Sequence, residues 1–413
     1  MIGRVVIGLA ALALAAACAA RSPVSRDGVR SFIRAPTTLD SEGYARFRDG
    51  RELFGKRWTE GEGLGPLFDG KSCLICHPRG GGGRPLKGAD ATAENASTIV
   101  RFQDDLGSYG KQLQRRAVAG QVAEGMVSVA YAETEFTFPD GEIVRLRKPR
   151  YRLTHGERGA APDRFSVLIA PKLAGVGLIE AIPEATIRAG ADPADRDGDG
   201  ISGRIAVTAD GKLGRFGWRA EAVSIPDQIA RALAFDMGLS SDLHPYPDGD
   251  CAPDCGAASK IEVSGAQLGA LVAFTRLLAP PPPGERGMQT NRGARLFAAI
   301  GCAACHRPSF EIVAAAAPYP APPTLWAYSD LLLHDMGPGL GDSVSDEWRT
   351  APLWGAARRR AVQGDEFYLH DGRARRLVEA VLWHGGEAAR ARAGFVALSP
   401  SERRALLAFV KSL

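Results

Sequence analysis

The chain has 413 residues, 45% of them hydrophobic and 24% charged, enough to bury one large core or two ordinary ones in a soluble globular protein. Its formal net charge is +4, from 51 Lys and Arg against 47 Asp and Glu, and no basic run is dense enough to track a phosphate backbone. Nucleic acid is therefore excluded as the expected partner.

The first residues, MIGRVVIGLAALALAAAC, place Arg4 before an apolar run and a set of small residues ending at Cys18. Residues 1–18 read as an export signal, too short to span a bilayer and stay there. The small residues before Cys18 resemble a lipobox, which would make Cys18 an acylated anchor; ordinary cleavage near Ala17 or Ala20 is the alternative. Residues 19–40 follow as a flexible polar tether. The mature protein is expected in the periplasm, touching the membrane only through a lipid anchor, in a compartment that oxidises free thiols.

A first domain is expected over 41–279. It holds GRELF at 50–54 and then GKSCLICHPRG, in which Cys73, Cys76 and His77 form a CxxCH motif. Two thiols at this spacing reach the two vinyl groups of one porphyrin, and the histidine behind the second is placed to ligate iron, which is the pattern of covalent haem c. The motif returns as Cys302, Cys305 and His306 in AIGCAACHRPS, so two covalent haem c groups are expected. A four-thiolate zinc site built from both CxxC pairs, or a thioredoxin-like dithiol, would use the cysteines and leave both histidines without a role.

An insertion occupies about 100–250. Within it, VSVAYAETEFTFPDGEIVRLRKPRYRL alternates apolar and polar residues on both sides of Pro139, Asp140 and Gly141, which predicts a β-hairpin among loops. DRDGDGISG sets Asp195, Asp197 and Asp199 at alternate positions before Gly200, the front half of a calcium loop, although Ala206 stands where a closing glutamate belongs. A solvated acidic turn is the alternative. Trp218 reads as a core residue or as an electron relay between haems. SIPDQIARALAFDMG predicts a short helix with Pro226 near its start and Gly238 past its end. Cys251 and Cys255, in CAPDC, have no histidine behind them and are read as a local disulfide, with a redox-active dithiol as the alternative.

The first domain closes with SGAQLGALVAFTRLL from Ser264; a proline-rich linker covers 280–285, and a C-terminal domain covers 286–413. That domain repeats the order, with GARLF at 293–297, the second CxxCH, and SPSERRALLAFVKSL from Ser399. Ser264 with Gln267 and Ser399 with Glu402 make the same capping box, followed by apolar residues at helical spacing: Leu268, Leu271, Val272 and Phe274, then Leu406, Leu407 and Phe409. An internal duplication is expected. The predicted fold is mainly α: two class I cytochrome c-like haem domains, the first with a large insertion containing a β-hairpin and loops.

Six segments carry a resemblance that runs from about residue 43 to 413: GPLFDGKSCLICHPRGGGGRP, YGKQLQRRAVAGQVAEG, DRDGDGISGR, GRFGWRAEA, YSDLLLHDMGPGLGD and YLHDGRARRLVEAVLWHGGEA. Together they resemble bacterial di-haem oxidoreductases of the peroxidase or "thiol oxidoreductase"-like kind, distant relatives of di-haem cytochrome c peroxidases and of the di-haem enzymes of methylamine utilisation. In the peroxidase relatives, the helix after HDG ends in the second axial ligand of the C-terminal haem, a methionine. His384 stands there in LVEAVLWH, which implies His306/His384 coordination and a lower reduction potential.

His370 and Asp371 are implied to hold a loop or a propionate. Gln112, Gln114 and Glu124 lie in a family-like segment and are the candidates for a catalytic pocket. The distal ligand of the first haem stays open among His155, Met126 and Met336, and calcium between haem domains occurs in the relatives. The implied activity is reduction of hydrogen peroxide with electrons from a small periplasmic donor, a cytochrome or a cupredoxin. The alternatives are electron transfer alone, or oxidation of a thiol or protein substrate.

Overall fold

The computed structural model describes residues 31–86, 97–103, 109–155, 159, 161–245 and 260–413. The export signal with Cys18, residues 19–30 of the tether, the Cys251 and Cys255 pair and the His155 side chain lie outside the described residues. Among the described residues, no helix is long and apolar enough to cross a membrane.

The helices that frame the site are α1 (Ser41–Gly55), α2 (Cys73–Cys76), α3 (Ile225–Met237), α4 (Gly265–Arg276), α5 (Met288–Ala299), α6 (Cys302–Cys305), α7 (Arg359–Gln363), α8 (Leu377–Leu382) and α9 (Pro400–Lys411). α1 packs on α4, and α5 packs on α9. Both pairings are made possible by a glycine. A Cβ on Gly50 would overlap Ala270 O and the Phe274 Cβ, and one on Gly293 would overlap Ala405 O and the Phe409 Cβ. With no side chain at the crossing, the two backbones meet directly and the phenylalanines turn inward. The capping boxes form as the sequence indicates: the Ser264 amide donates to Gln267 Oε1 (2.9 Å) and the Ser399 amide to Glu402 Oε2 (3.0 Å).

The expectation of a mainly α chain built from two cytochrome c-like domains does not hold. The chain is 35% helical and 17% strand, and its strands are scattered among many short sheets, so no single fold class describes it. Antiparallel pairs join β1 (Leu67–Phe68) to β3 (Arg116–Ala117), β2 (Thr98–Phe102) to β6 (Phe165–Ile169), β7 (Phe310–Glu311) to β8 (Thr324–Leu325), and β9 (Leu333–Asp335) to β10 (Glu347–Arg349). Strands of two to five residues are too short for alternation to register in a sequence, and they were hidden in what reads as loop.

The long hairpin is where the turn residues place it. β4 (Gly125–Thr137) pairs with β5 (Ile143–His155) in the register Thr137 to Ile143 and Val127 to Leu153, around Pro139, Asp140 and Gly141. The residues behind its exposed turn pack on the C-terminal part of the chain. Phe138, Val144 and Leu146 join a core with Phe297, Phe395, Leu406 and Phe409, and Arg403 forms ion pairs with Asp140 and Glu142. A second, larger core surrounds the first CxxCH motif and contains Phe47, Phe54, Ile182, Leu233, Leu271 and Phe274.

Replacing Gly293 with Ala should push α5 off α9 and destabilise the protein by about 1–3 kcal/mol, the usual cost of overpacking a tight contact. A lower denaturant midpoint would show it. A midpoint equal to that of the parent would mean that the two helices can part at this point without penalty.

Candidate functional site

Each CxxCH motif is one short helical turn with its histidine at the end. The His77 amide donates to Cys73 O at 2.8 Å, and the His306 amide to Cys302 O at 3.0 Å. Gly301 enters α6 with φ +91°, a left-handed value that glycine adopts without strain. The four cysteines are free thiols. Burial pushes Cys73 and Cys302 up to about 12, so both are neutral thiols. Among the described residues, the groups close enough to share a metal are Cys305 with Asp330 and His334, and the three aspartates at 195, 197 and 199. The four thiols do not converge, which removes the zinc alternative.

Both motifs open into one cavity of about 960 Å³. Its upper-range size for a ligand site, roughly 300–1,000 Å³, and its largely apolar walls suit large flat hydrophobic groups. The walls repeat. Phe54 lies 6.2 Å from the His77 ring at 48°, and Phe297 lies 6.2 Å from the His306 ring at 51°. Phe274 backs the first pair at 5.0 Å and Phe409 the second at 5.4 Å. The glycine crossings thus deliver one phenylalanine per motif to the proximal side of the histidine.

At the second motif, His384 faces His306 with ring centroids 6.5 Å apart and planes tilted by 45°. Metal–imidazole bonds of about 2 Å, with roughly 1.2 Å from ring centre to nitrogen, would put two rings on one iron about 6.4 Å apart. Nδ1 of His306 is hydrogen-bonded to Tyr328 O (3.0 Å) and Nδ1 of His384 to Ala380 O (2.7 Å). A ring that donates from Nδ1 keeps its lone pair on Nε2, the arrangement found in metal-bound histidines. Burial lowers His306 to about 4 and lowers His384 as well, so both are neutral. The pair fits a six-coordinate haem iron.

At the first motif, burial lowers His77 to about 4, and its Nδ1 has no hydrogen bond, although the nearby peptide groups of Gly81 and Pro171 favour its protonation. Of the three distal candidates, Met336 lines the cavity beside Trp348 and Leu340, and Met126 sits in β4 away from it. Gln112, Gln114 and Glu124 are fully buried behind the wall. Gln112 Nε2 donates to Asp236 Oδ1 (2.9 Å) and Phe235 O (2.8 Å), Gln114 Nε2 donates to Phe235 O (2.6 Å), and Glu124 Oε2 accepts from the Gln114 amide (2.7 Å). Their combined effect is to hold Asp236, a carboxyl that lines the cavity together with Asp199 and Glu387. Burial raises it to about 6, against the opposing pull of Arg101. Sequence reasoning passed over it, though a lone acid between Phe235 and Met237 in the apolar run ALAFDMG was a readable signal.

Two more groups occupy the wall. Trp218 donates from Nε1 to Ile169 O (2.7 Å), and Trp348 stacks on His370 at 3.6 Å and 8°. Asp371 serves its own loop, paired with Arg373 at 2.8 Å. Near Cys305, His334 lies 3.6 Å from Sγ and bridges Asp330 (2.8 Å) and Glu387 (2.7 Å). Burial opposes its charge, but the bonds to Asp330, Cys305 and Glu387 prevail and raise it to about 12, so it is an imidazolium. Asp195, Asp197 and Asp199 gather oxygens within 4.8 Å of one another, and these accept amides of their own turn: Gly200 to Asp195 (3.1 Å), Asp199 to Asp197 (3.2 Å) and Ile201 to Asp199 (2.8 Å). Those bonds serve the turn itself and add nothing to the sequence pattern as an argument for a cation.

The family model described as "Di-haem oxidoreductase, putative peroxidase" matches residues 99–413, a stretch that holds the second CxxCH and His384 and starts just after the first motif. No curated protein matches the chain. Among solved structures, the chain is similar to a Kuenenia stuttgartiensis hydrazine synthase pressurised with xenon, with 14% identity over 100% of both chains and a TM-score of 0.38. A score that low does not define a shared fold.

The raised Asp236 pKa has a testable sign. The folded protein holds the proton up to about pH 6 while the unfolded chain releases it near the ordinary 3.8, so this carboxyl's contribution to stability is fully present below about pH 4 and is lost as the pH rises to about 6. The loss is on the order of 3 kcal/mol for two pKa steps. Asp236→Asn should flatten that part of the stability curve and be the more stable protein above pH 6. Parallel curves for parent and variant in urea melts across pH 4–7 would reject the shifted carboxyl.

Proposed function

The chain belongs to the di-haem oxidoreductase family, and on that premise we propose that it is an exported enzyme that reduces hydrogen peroxide with electrons from a small periplasmic donor, a cytochrome or a cupredoxin. The observation that carries this reading is the cavity into which both CxxCH motifs open, with the His306 and His384 pair at ligand spacing at one end and His77, faced by no second histidine among the described residues, at the other. Haem is the cofactor of the family. We take its attachment to be covalent, through Cys73 and Cys76 at one motif and Cys302 and Cys305 at the other, because four free neutral thiols face the cavity in pairs. Export and a lipid anchor at Cys18 rest on the signal-like 1–18 segment.

Bound there, haem iron supplies the redox chemistry, in which two electrons and two protons convert one peroxide to two waters. The protein's own residues divide the remaining work. His306 and His384, facing each other, would together hold the group at the second motif and keep substrate from that end. His77 would hold the group at the first motif, where among the described residues no second histidine faces it, and peroxide would be reduced at that end. Asp236 holds a proton at a carboxyl oxygen near pH 6, kept in place by Gln112, and can pass it to a departing oxygen. Phe54, Ile99, Val176 and Leu233 exclude bulk water from the same end.

Three measurements test the reading. The mature protein should carry two haems by pyridine haemochrome and a matching mass increment; colourless material would end it. Reduced protein should bind carbon monoxide at one haem, and His384→Ala should raise that to two. A protein silent to both carbon monoxide and peroxide would be an electron carrier instead. Asp236→Asn should lower peroxide turnover by about a hundredfold, the lower range for loss of a general acid, with haem content unchanged.

A further inference from the structure

Two cations wall the cavity near the first motif, and among the described residues neither forms an ion pair. Arg359, on α7, is 8% exposed, and its Nη1 is buried without a hydrogen bond. Its guanidinium lies 5.2 Å from the Tyr368 ring, and the neighbouring carboxylate, Glu366, is already bonded to Arg360 and the Tyr368 hydroxyl. Lys172 donates only to carbonyls, Trp354 O at 2.6 Å and Pro352 O at 3.4 Å. Burial lowers both residues, Lys172 well below its ordinary value with Arg359 as the second cause. Two like charges in a closed, apolar wall are costly unless an anion joins them.

The pair is tied to the first motif. Pro171, the residue before Lys172, is one of the two whose peptide groups approach His77 Nδ1. α7 is fastened to the glycine loop that follows His77 by Gln363 Nε2, which donates to Gly82 O and Gly83 O. A Cβ on Gly82 would lie 3.5 Å from Arg359 Nη1. The other basic groups lining the cavity stand elsewhere or have anions of their own: Arg101 faces Asp236, Arg349 is drawn by Glu221 and Asp330, Arg390 is exposed, and Arg392, whose buried Nε is also without a hydrogen bond, stands beside His384 at the second motif.

We propose that Lys172 and Arg359 are the carboxylate seat of the N-terminal haem and bind its two propionates. The assignment rests on the two-haem reading and adds which residues orient the first group. It also sets a potential. A cation beside a haem favours the reduced state, which carries one more negative charge, so removing either residue lowers the reduction potential.

The test is a spectroelectrochemical titration of the mature holoprotein, with the N-terminal haem followed through its carbon monoxide-sensitive bands. Arg359→Gln and Lys172→Gln should each lower the reduced-to-oxidised ratio of that haem about tenfold at fixed poise, about 59 mV for one electron. Arg359→Lys should keep the parent value. Loss of the N-terminal haem alone in the glutamine variants, with retention in Arg359→Lys, would be the same result in stronger form. An unchanged N-terminal potential with two haems bound, a shift confined to the His306/His384 haem, or equal loss of haem in Arg359→Lys would overturn the proposal. A parent protein with fewer than two haems would instead sink the reading beneath it.

Discussion

The structure depends on two places where helix backbones touch. Gly50 lets α1 lie against α4, and Gly293 lets α5 lie against α9, and at each crossing the phenylalanine one turn on is aimed at a CxxCH histidine. The angles differ by only 3° between the two sites, 48° against 51°. A side chain at either glycine would separate the helices and carry the ring away from the imidazole. Everything described at the cavity, from the buried neutral histidines to the apolar walls, follows from that closeness.

Much of the site was legible because its signals are local. The CxxCH spacing, the capping boxes at Ser264 and Ser399 and the hairpin turn at 139–141 each depend on residues within a few positions of one another. His384 came from a resemblance, and its facing of His306 is a contact between residues 78 positions apart. What stayed hidden is long-range. Asp236 owes its character to Gln112, 124 residues away, and Lys172 to Trp354, 182 residues away. No spacing rule reaches across such intervals. The fold class failed for a related reason: two-residue strands such as Leu67–Phe68 exist only because Arg116–Ala117 lies beside them.

The cavity divides its charges by end. Asp236, with Gln112 behind it, brings an ionisable acid to the first motif, and Lys172 and Arg359 bring two cations near the glycine loop of the same motif. At the second motif His334 lies between Asp330 and Glu387, and the His306 and His384 imidazoles are tied to carbonyls. A buried cation without a counter-ion beside a shifted acid marks a place built to receive something. In the function proposed above, the first end is the reacting one and the second the electron-holding one, without any difference in motif.

The hairpin carries the last consequence. Arg403 grips Asp140 across 263 residues of chain, and Phe138 meets Phe395 at 6.2 Å. A core that draws on such distant stretches assembles slowly, since the long intervening segment must be restrained before the contact rewards it. The C-terminal core is therefore incomplete until the hairpin docks on it, and damage at the hairpin tip would surface as a fault in a region that a linear map shows as remote.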